Sequence, residues 1–249
     1  MIKNQIPNII TLMNLLCGIL SIYFLYNESI FFLPSLFVVL GAIFDFFDGM
    51  SARALKINSN IGKELDSLAD IVTFGVAPSL ITISLLKDFH SSCLIFENFL
   101  VYIPLLIALL SAYRLAKFNI DSRQTNSFIG LPTPANALFW ISLPIISNIE
   151  KTSLYLWGIP FKELYSFMDK ALINPYTIII LSLFMSILLV ANLPLFSLKF
   201  KNLSWKENKD KFIFLIISLL LIIALNFFAI PIIIIVYIIE SLIINITKK

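Results

Sequence analysis

Charge is what this chain is short of. Only 13% of its 249 residues are Asp, Glu, Lys or Arg, against roughly 25% in a soluble domain. Hydrophobic residues make up 59% and the mean hydropathy is +0.94, which leaves too little polar surface to cover a globule in water. Lipid is therefore the solvent for most of the chain, and a soluble enzyme is excluded. The two cysteines, Cys17 and Cys93, are too few for a disulfide framework and sit beside apolar runs as small hydrophobes do. The bulky Leu16 before Cys17 argues against a lipoprotein cleavage site, and no small-residue cleavage site follows the first apolar run, so that run reads as a retained helix. The single histidine, His90, falls in an outside loop and leaves no Ser-His or Cys-His pair for covalent catalysis. Blocks of basic residues interleaved with aromatics are missing, which excludes nucleic acid as a partner. Sustained polar–apolar alternation is missing too, which excludes an outer-membrane barrel.

What is present is a series of apolar runs near the roughly 20 residues that one crossing needs. Eight are predicted, at about 8–26, 30–49, 66–86, 94–116, 132–148, 176–196, 211–227 and 229–246. The last two are separated only by the short break from Asn226 to Pro231, but the stretch from Lys211 to Ile246 is too long for one crossing at roughly 1.5 Å per residue, so it reads as a tight hairpin. The expected fold class is an all-α polytopic membrane protein. Residues 1–196 form its membrane domain, and 197–249 form a cytoplasmic basic loop and a transmembrane hairpin. With the amino terminus inside, fourteen of the eighteen Lys and Arg fall on the cytoplasmic side, which places both termini there. The connection 149–175, with Trp157 and Tyr165, reads equally as an interfacial segment or a plain outside loop.

Carboxylates are costly inside a membrane, at roughly 2.5–3.5 kcal/mol for an Asp at a helix centre, and four of them cluster in this sequence. Asp45 and Asp48, at i and i+3, end the second run; Asp66 and Asp70, at i and i+4, open the third. Each pair shares a helix face, and the connection from Gly49 to Leu65 lets the two helices return antiparallel, so both pairs meet at one depth. Four like charges in one small volume repel unless cations hold them together. An oxygen-only ligand set without His or Cys suits a hard divalent ion, Mg2+ or Mn2+, and four carboxylates suffice for two ions. Gly49 and Ala52 lack bulk and let a phosphorylated group approach the backbone, while Arg53 offers a fork suited to phosphate oxygens.

The full run, Asp45-x-x-Asp48-Gly49-x-x-Ala52-Arg53, then eight residues, then Gly62-x-x-x-Asp66-x-x-x-Asp70, resembles the CDP-alcohol phosphatidyltransferase family at every fixed position. The resemblance implies a core of six helices, usually dimeric, with a divalent-metal site formed by the four aspartates that grips the pyrophosphate of a CDP-linked lipid. It also implies that Asp70 is the general base for the acceptor hydroxyl, and that the site opens to the cytoplasm. Segments outside the motif, among them Ile6–Leu15, Asp66–Pro78, Arg114–Asn119, Gly130–Ala135 and Asn192–Phe200, look like the phosphatidylserine synthase branch. Asn14 stands where phosphatidylglycerophosphate synthases typically carry Arg.

On this resemblance the lipid substrate is CDP-diacylglycerol and the acceptor is L-serine, in the cytoplasmic membrane. Gly49, Ala52, Arg53 and Gly62 are assigned to the CDP-lipid. Asn8 and Thr11 either join them at the nucleotide or cap the first helix. Serine carries both a carboxylate and an ammonium, which calls for a cation and polar acceptors near Asp70. Arg114, Lys117, Asn119 and Thr133 could supply them, although Arg114 and Lys117 serve equally well as positive-inside anchors. Two other readings stand beside this one. A sister enzyme with another acceptor, such as glycerol 3-phosphate or inositol phosphate, would share every aspartate, whereas a transporter would hold its acids near the bilayer midplane on broken helices.

Overall fold

The computed structural model describes residues 5–27, 31–57, 59–89, 99–120, 128–147, 170–196 and 204–247. His90, Cys93, Trp157 and Tyr165 lie outside the described residues, as does most of the connection 149–175.

Each predicted apolar run contains a helix. In chain order these are α1 (Ile6–Asn27), α2 (Phe32–Leu55), α3 (Asn60–Asp70), α4 (Ala77–Lys87), α5 (Leu105–Ile120), α6 (Thr133–Ser147), α7 (Pro175–Val190), α8 (Trp205–Leu225) and α9 (Ala229–Thr247). A π-helical turn, Ile71–Val76, joins α3 to α4 without a break, so the third run is one continuous rod. Four stretches, Ile6–Asn27, Phe32–Leu55, Asn60–Lys87 and Phe99–Ile120, are long and apolar enough to cross a membrane, and so is Asn208–Ile246. The protein is a multi-pass membrane protein.

The stretch Asn208–Ile246 folds back on itself. Asn226 adopts φ 50° and ψ −127° at the end of α8, which no helix can propagate through. Phe214 and Tyr237 are 23 positions apart and would be about 35 Å apart along one straight helix. Their ring centroids are 5.7 Å apart. The predicted hairpin is therefore present.

One predicted run ends early. The run predicted at 176–196 ends as helix at Val190, because Asn192-Leu193-Pro194 leads out into a two-residue strand, and proline cannot carry a helix onward. That strand, β2 (Pro194–Leu195), pairs antiparallel with β1 (Phe128–Ile129), and the Gly130 N–H adds a bond to the Leu193 carbonyl at 2.8 Å. Gly130 sits at φ +79°, where a Cβ would run into the Leu189 carbonyl, so only glycine fits. The ladder brings together two sequence segments that are more than sixty residues apart. It is also where α9 docks: Tyr237 donates its hydroxyl to the Phe196 carbonyl at 2.8 Å, and the Asn245 amide donates to the Pro194 carbonyl.

Candidate active site

The helices carrying the aspartates run further than the apolar pattern indicates. α2 continues to Leu55 and closes on Lys56 in the left-handed conformation, φ 54°, whose N–H reaches the Arg53 carbonyl at 3.2 Å. α3 begins at Asn60, with the Ser59 hydroxyl accepting from the Gly62 N–H at 3.3 Å as its N-cap. The connection is thus only residues 56–59, not Gly49 to Leu65. Polar but helix-competent turns carry both helices past the apolar runs, and hydropathy does not register them. Asp48 lies about two turns before the end of α2, and Asp66 nearly two turns after the start of α3.

This packing brings three of the four acids together. One carboxylate oxygen from each of Asp45, Asp48 and Asp66 lies within 4.8 Å of the others. Asp48 Oδ2 and Asp66 Oδ1 are buried without a hydrogen-bond partner. Buried polar atoms are normally paired, so two orphaned acceptors within a like-charge cluster fit a bound hard cation. Asp70 stands just apart from this trio. It is buried at 7% exposure, and its Oδ1 accepts from the Asn14 amide at 3.1 Å.

Two cavities flank the acids. The first, about 260 Å³, lies between α1 and the α2–α3 corner. It is lined by Asn8, Thr11, Gly49, Ala52, Arg53 and Gly62, the six residues expected at the CDP-lipid, and by Asp48 and Asp66. Neither Asn8 nor Thr11 is an N-cap: Thr11 donates its hydroxyl back to the Pro7 carbonyl at 3.0 Å, and the Asn8 amide bonds Gln5 Oε1 at 3.0 Å. The second cavity, about 460 Å³, is lined by all four aspartates together with Arg114, Asn119 and Thr133. Arg114 is 7% exposed, lies across Phe118 at 6.0 Å and leaves Nε without a partner. Asn119 is held by Ser67, to whose hydroxyl its amide donates at 2.9 Å. Lys117 departs from expectation. It does not line this cavity; its long side chain reaches outward to Asn192 Oδ1 at 3.2 Å.

Residues 4–162, well over half of the chain, match the CDP-alcohol phosphatidyltransferase family. The chain belongs to that family. Among similar proteins, CDP-diacylglycerol--serine O-phosphatidyltransferase of Bacillus subtilis is 39% identical over 146 residues, covering 58% of this chain and 78% of that one. The protein of the same name from Helicobacter pylori strain J99 is 35% identical over 144 residues, covering 57% and 58%. Archaetidylserine synthase of Methanothermobacter thermautotrophicus is 32% identical over 152 residues, covering 60% and 59%. The chain therefore spans about three fifths of the length of the latter two. For a CDP-alcohol phosphatidyltransferase, the motif reading left out three side chains that the structure puts at the site. Ser59 and Lys63 line the first cavity, and Lys63 follows directly after a motif glycine. Asn14 bonds Asp70, and its signal was the apolar helix around it, where a buried amide is expensive unless partnered.

Proposed function

We propose that the protein transfers the phosphatidyl group of CDP-diacylglycerol to the hydroxyl of L-serine, giving phosphatidylserine and CMP. The observation that carries this reading is the second cavity. It sets Asp70 and a buried, incompletely bonded Arg114 around one space, a base for a hydroxyl beside a fork for a carboxylate. The names of the similar proteins agree with it. The CDP-lipid lies with its nucleotide toward Asn8, Thr11 and Gly62 and its pyrophosphate along Gly49, Ala52 and Arg53. Asp45, Asp48 and Asp66, with Asp70 beside them, hold Mg2+ or Mn2+. Bound there, the cations neutralise pyrophosphate charge and stabilise the departing CMP, worth several kcal/mol of barrier.

Asp70 takes the proton of the serine hydroxyl. The serine oxygen then forms its bond to the phosphorus carrying the diacylglycerol, and the bond from that phosphorus to the CMP oxygen breaks. A positioned base of this kind contributes roughly 10²–10⁴-fold. Arg114 orients the serine carboxylate, with Asn119 and Thr133 beside it. The proposal includes a cytoplasmic-facing site in the cell membrane, supported by the bias of basic residues toward that side. It also takes residues 1–196 as the catalytic unit with 197–249 appended, and a homodimer, as the family resemblance implies.

The test is CMP release by the purified protein in detergent with CDP-diacylglycerol, Mg2+ or Mn2+, and serine, glycerol 3-phosphate or inositol phosphate. Release that depends on serine and is lost in Asp70→Asn is the expected result. Release with another acceptor instead overturns the serine assignment and keeps the chemistry. No release with any acceptor from folded protein overturns both.

A further inference from the structure

Asn14 sits in the middle of a predominantly apolar helix, and it is fully buried. Its amide Nδ2 donates to Asp70 Oδ1 at 3.1 Å, while its backbone carbonyl accepts from the Thr73 hydroxyl at 3.0 Å. These two bonds clamp α1 onto both sides of the point where α3 turns into the π-helical segment, directly after Asp70. Resting on the function proposed above, we infer that Asn14 is a positioning residue: it fixes the Asp70 carboxylate by one oxygen so that the other faces the acceptor hydroxyl.

Three observations make this more than a packing contact. First, Asn14 Oδ1 is buried with no partner, so the side chain is tolerated there for its donor alone. A carboxylate can only accept, so the residue beside it must donate, and an amide does so without adding a charge to the acidic cluster. Second, α1 itself and the neighbouring α2 are both cut back to glycine to let the clamp close. A Cβ on Gly18 would lie 2.6 Å from Thr73 Oγ1, and one on Gly41 would lie 3.0 Å from Asn14 Oδ1 and meet the Thr73 methyl. Third, the π-helical turn lies next to Asp70, and such turns inside α-helices cluster at functional sites. Thr73 lies within that turn and is itself fully buried.

The experiment measures serine-dependent CMP release by full-length Asn14→Leu, Asn14→Gln and Thr73→Val proteins in detergent. Folded fraction is taken from size-exclusion profiles and from CDP-diacylglycerol binding. Losing a hydrogen bond to a charged group predicts a fall in kcat of about 10- to 100-fold for Asn14→Leu. KM for serine and KM for CDP-diacylglycerol stay within about twofold, since the groups assigned to bind them are not substituted. Asn14→Gln keeps the donor and retains more of kcat than Asn14→Leu. Thr73→Val removes only the hydroxyl that fixes the Asn14 carbonyl and lowers kcat about 3- to 10-fold with the same unchanged KM values. A purely structural role would reduce the folded fraction and leave kcat per folded molecule intact, and that result overturns the inference. A rise in KM with wild-type kcat overturns it as well. Should Asn14→Leu fail to fold, Thr73→Val decides by the same split. Absence of release from the wild type is read first; it refutes the proposed function and this inference with it.

Discussion

Around α1, α2 and α3, buried polar groups crowd together: Asn14, Asp48, Asp70 and Thr73 are all at or below 7% exposure, and several polar atoms lack partners. The α8–α9 hairpin is held differently. It presents Leu219, Leu220, Ile223, Ile239 and Ile243 outward and is tied to the rest by aromatic packing and by two bonds onto the backbone of residues 194–196. The first region is arranged for chemistry at the expense of its own stability, since unpaired buried carboxylates destabilise a fold. The second is packed chiefly through apolar and aromatic side chains. What separates them is clustering of like charge: the first region gathers carboxylates within 4.8 Å of one another, whereas the hairpin's unpartnered polar atoms, on Ser218, Asn226 and Glu240, are spread along it.

The substitution with the largest expected effect tests that difference directly. Asp66→Asn removes one member of the trio and one orphaned buried acceptor. Activity should fall by at least about 10²-fold, on the scale of a lost charge stabiliser in a catalytic site. Stability should not fall with it. In the presence of a chelator the variant should unfold at the same temperature as the wild type or higher, because a like-charge contact has been relieved. Adding Mg2+ should raise the wild-type midpoint, since a ligand that binds only the folded state stabilises it, and should raise the variant's less. Thermal unfolding in detergent with EDTA and then with Mg2+ measures both. An Asp66→Asn protein that is less stable than wild type in EDTA would mean that the trio holds the fold together without a cation, and the contrast between the regions would collapse.

Tyr237→Phe should give the reverse pattern, with smaller numbers. The hydroxyl donates to the Phe196 carbonyl at 2.8 Å, and the ring packs on Phe196 with centroids 5.1 Å apart. Phenylalanine keeps the ring contact and loses the bond, so stability should drop by about 1 kcal/mol. The kcat of the folded protein should stay within about twofold, the scale of a neutral substitution. A fall in kcat larger than the loss of stability explains would place the hairpin inside the catalytic unit rather than beside it.

How legible each region is in the sequence follows from the same physics. Helix existence was readable throughout, because lipid demands long apolar runs and the chain supplies them. The shared faces of Asp45 with Asp48 and of Asp66 with Asp70 were readable from spacing alone, as was the turn near Asn226. The ends of α2 and α3 were not, because polar turns emerging from the membrane leave no hydropathy signal. Nor was the pairing of Phe128 with Leu195, since a two-residue ladder is set by tertiary contacts and not by local preference. The π-helical turn after Asp70 was equally hidden, because Ile71 to Val76 would suit an ordinary helix. The Asn14–Asp70 bond joins residues 56 positions apart, and no local pattern announces a contact at that range.

Lys117→Ala should have the smallest effect, and it separates two cations on one helix that the sequence could not tell apart. Arg114 and Lys117 are one turn apart at the end of α5, both basic and both at the predicted cytoplasmic side. Arg114 is 7% exposed and lines the cavity with Asp70; Lys117 is only partly buried and reaches Asn192, an exposed residue beyond α7. An ammonium in that position is solvated and screened, so removing it should change stability by no more than about 0.5 kcal/mol and leave the serine KM within about twofold. Arg114→Ala, read in the same assay, should raise the serine KM by about 10-fold or more, since a buried charged hydrogen bond to a carboxylate is lost. Equal effects at the two positions would mean that α5 acts on the substrate through its overall positive charge, and the assignment of Arg114 as the specific partner of the serine carboxylate would fall.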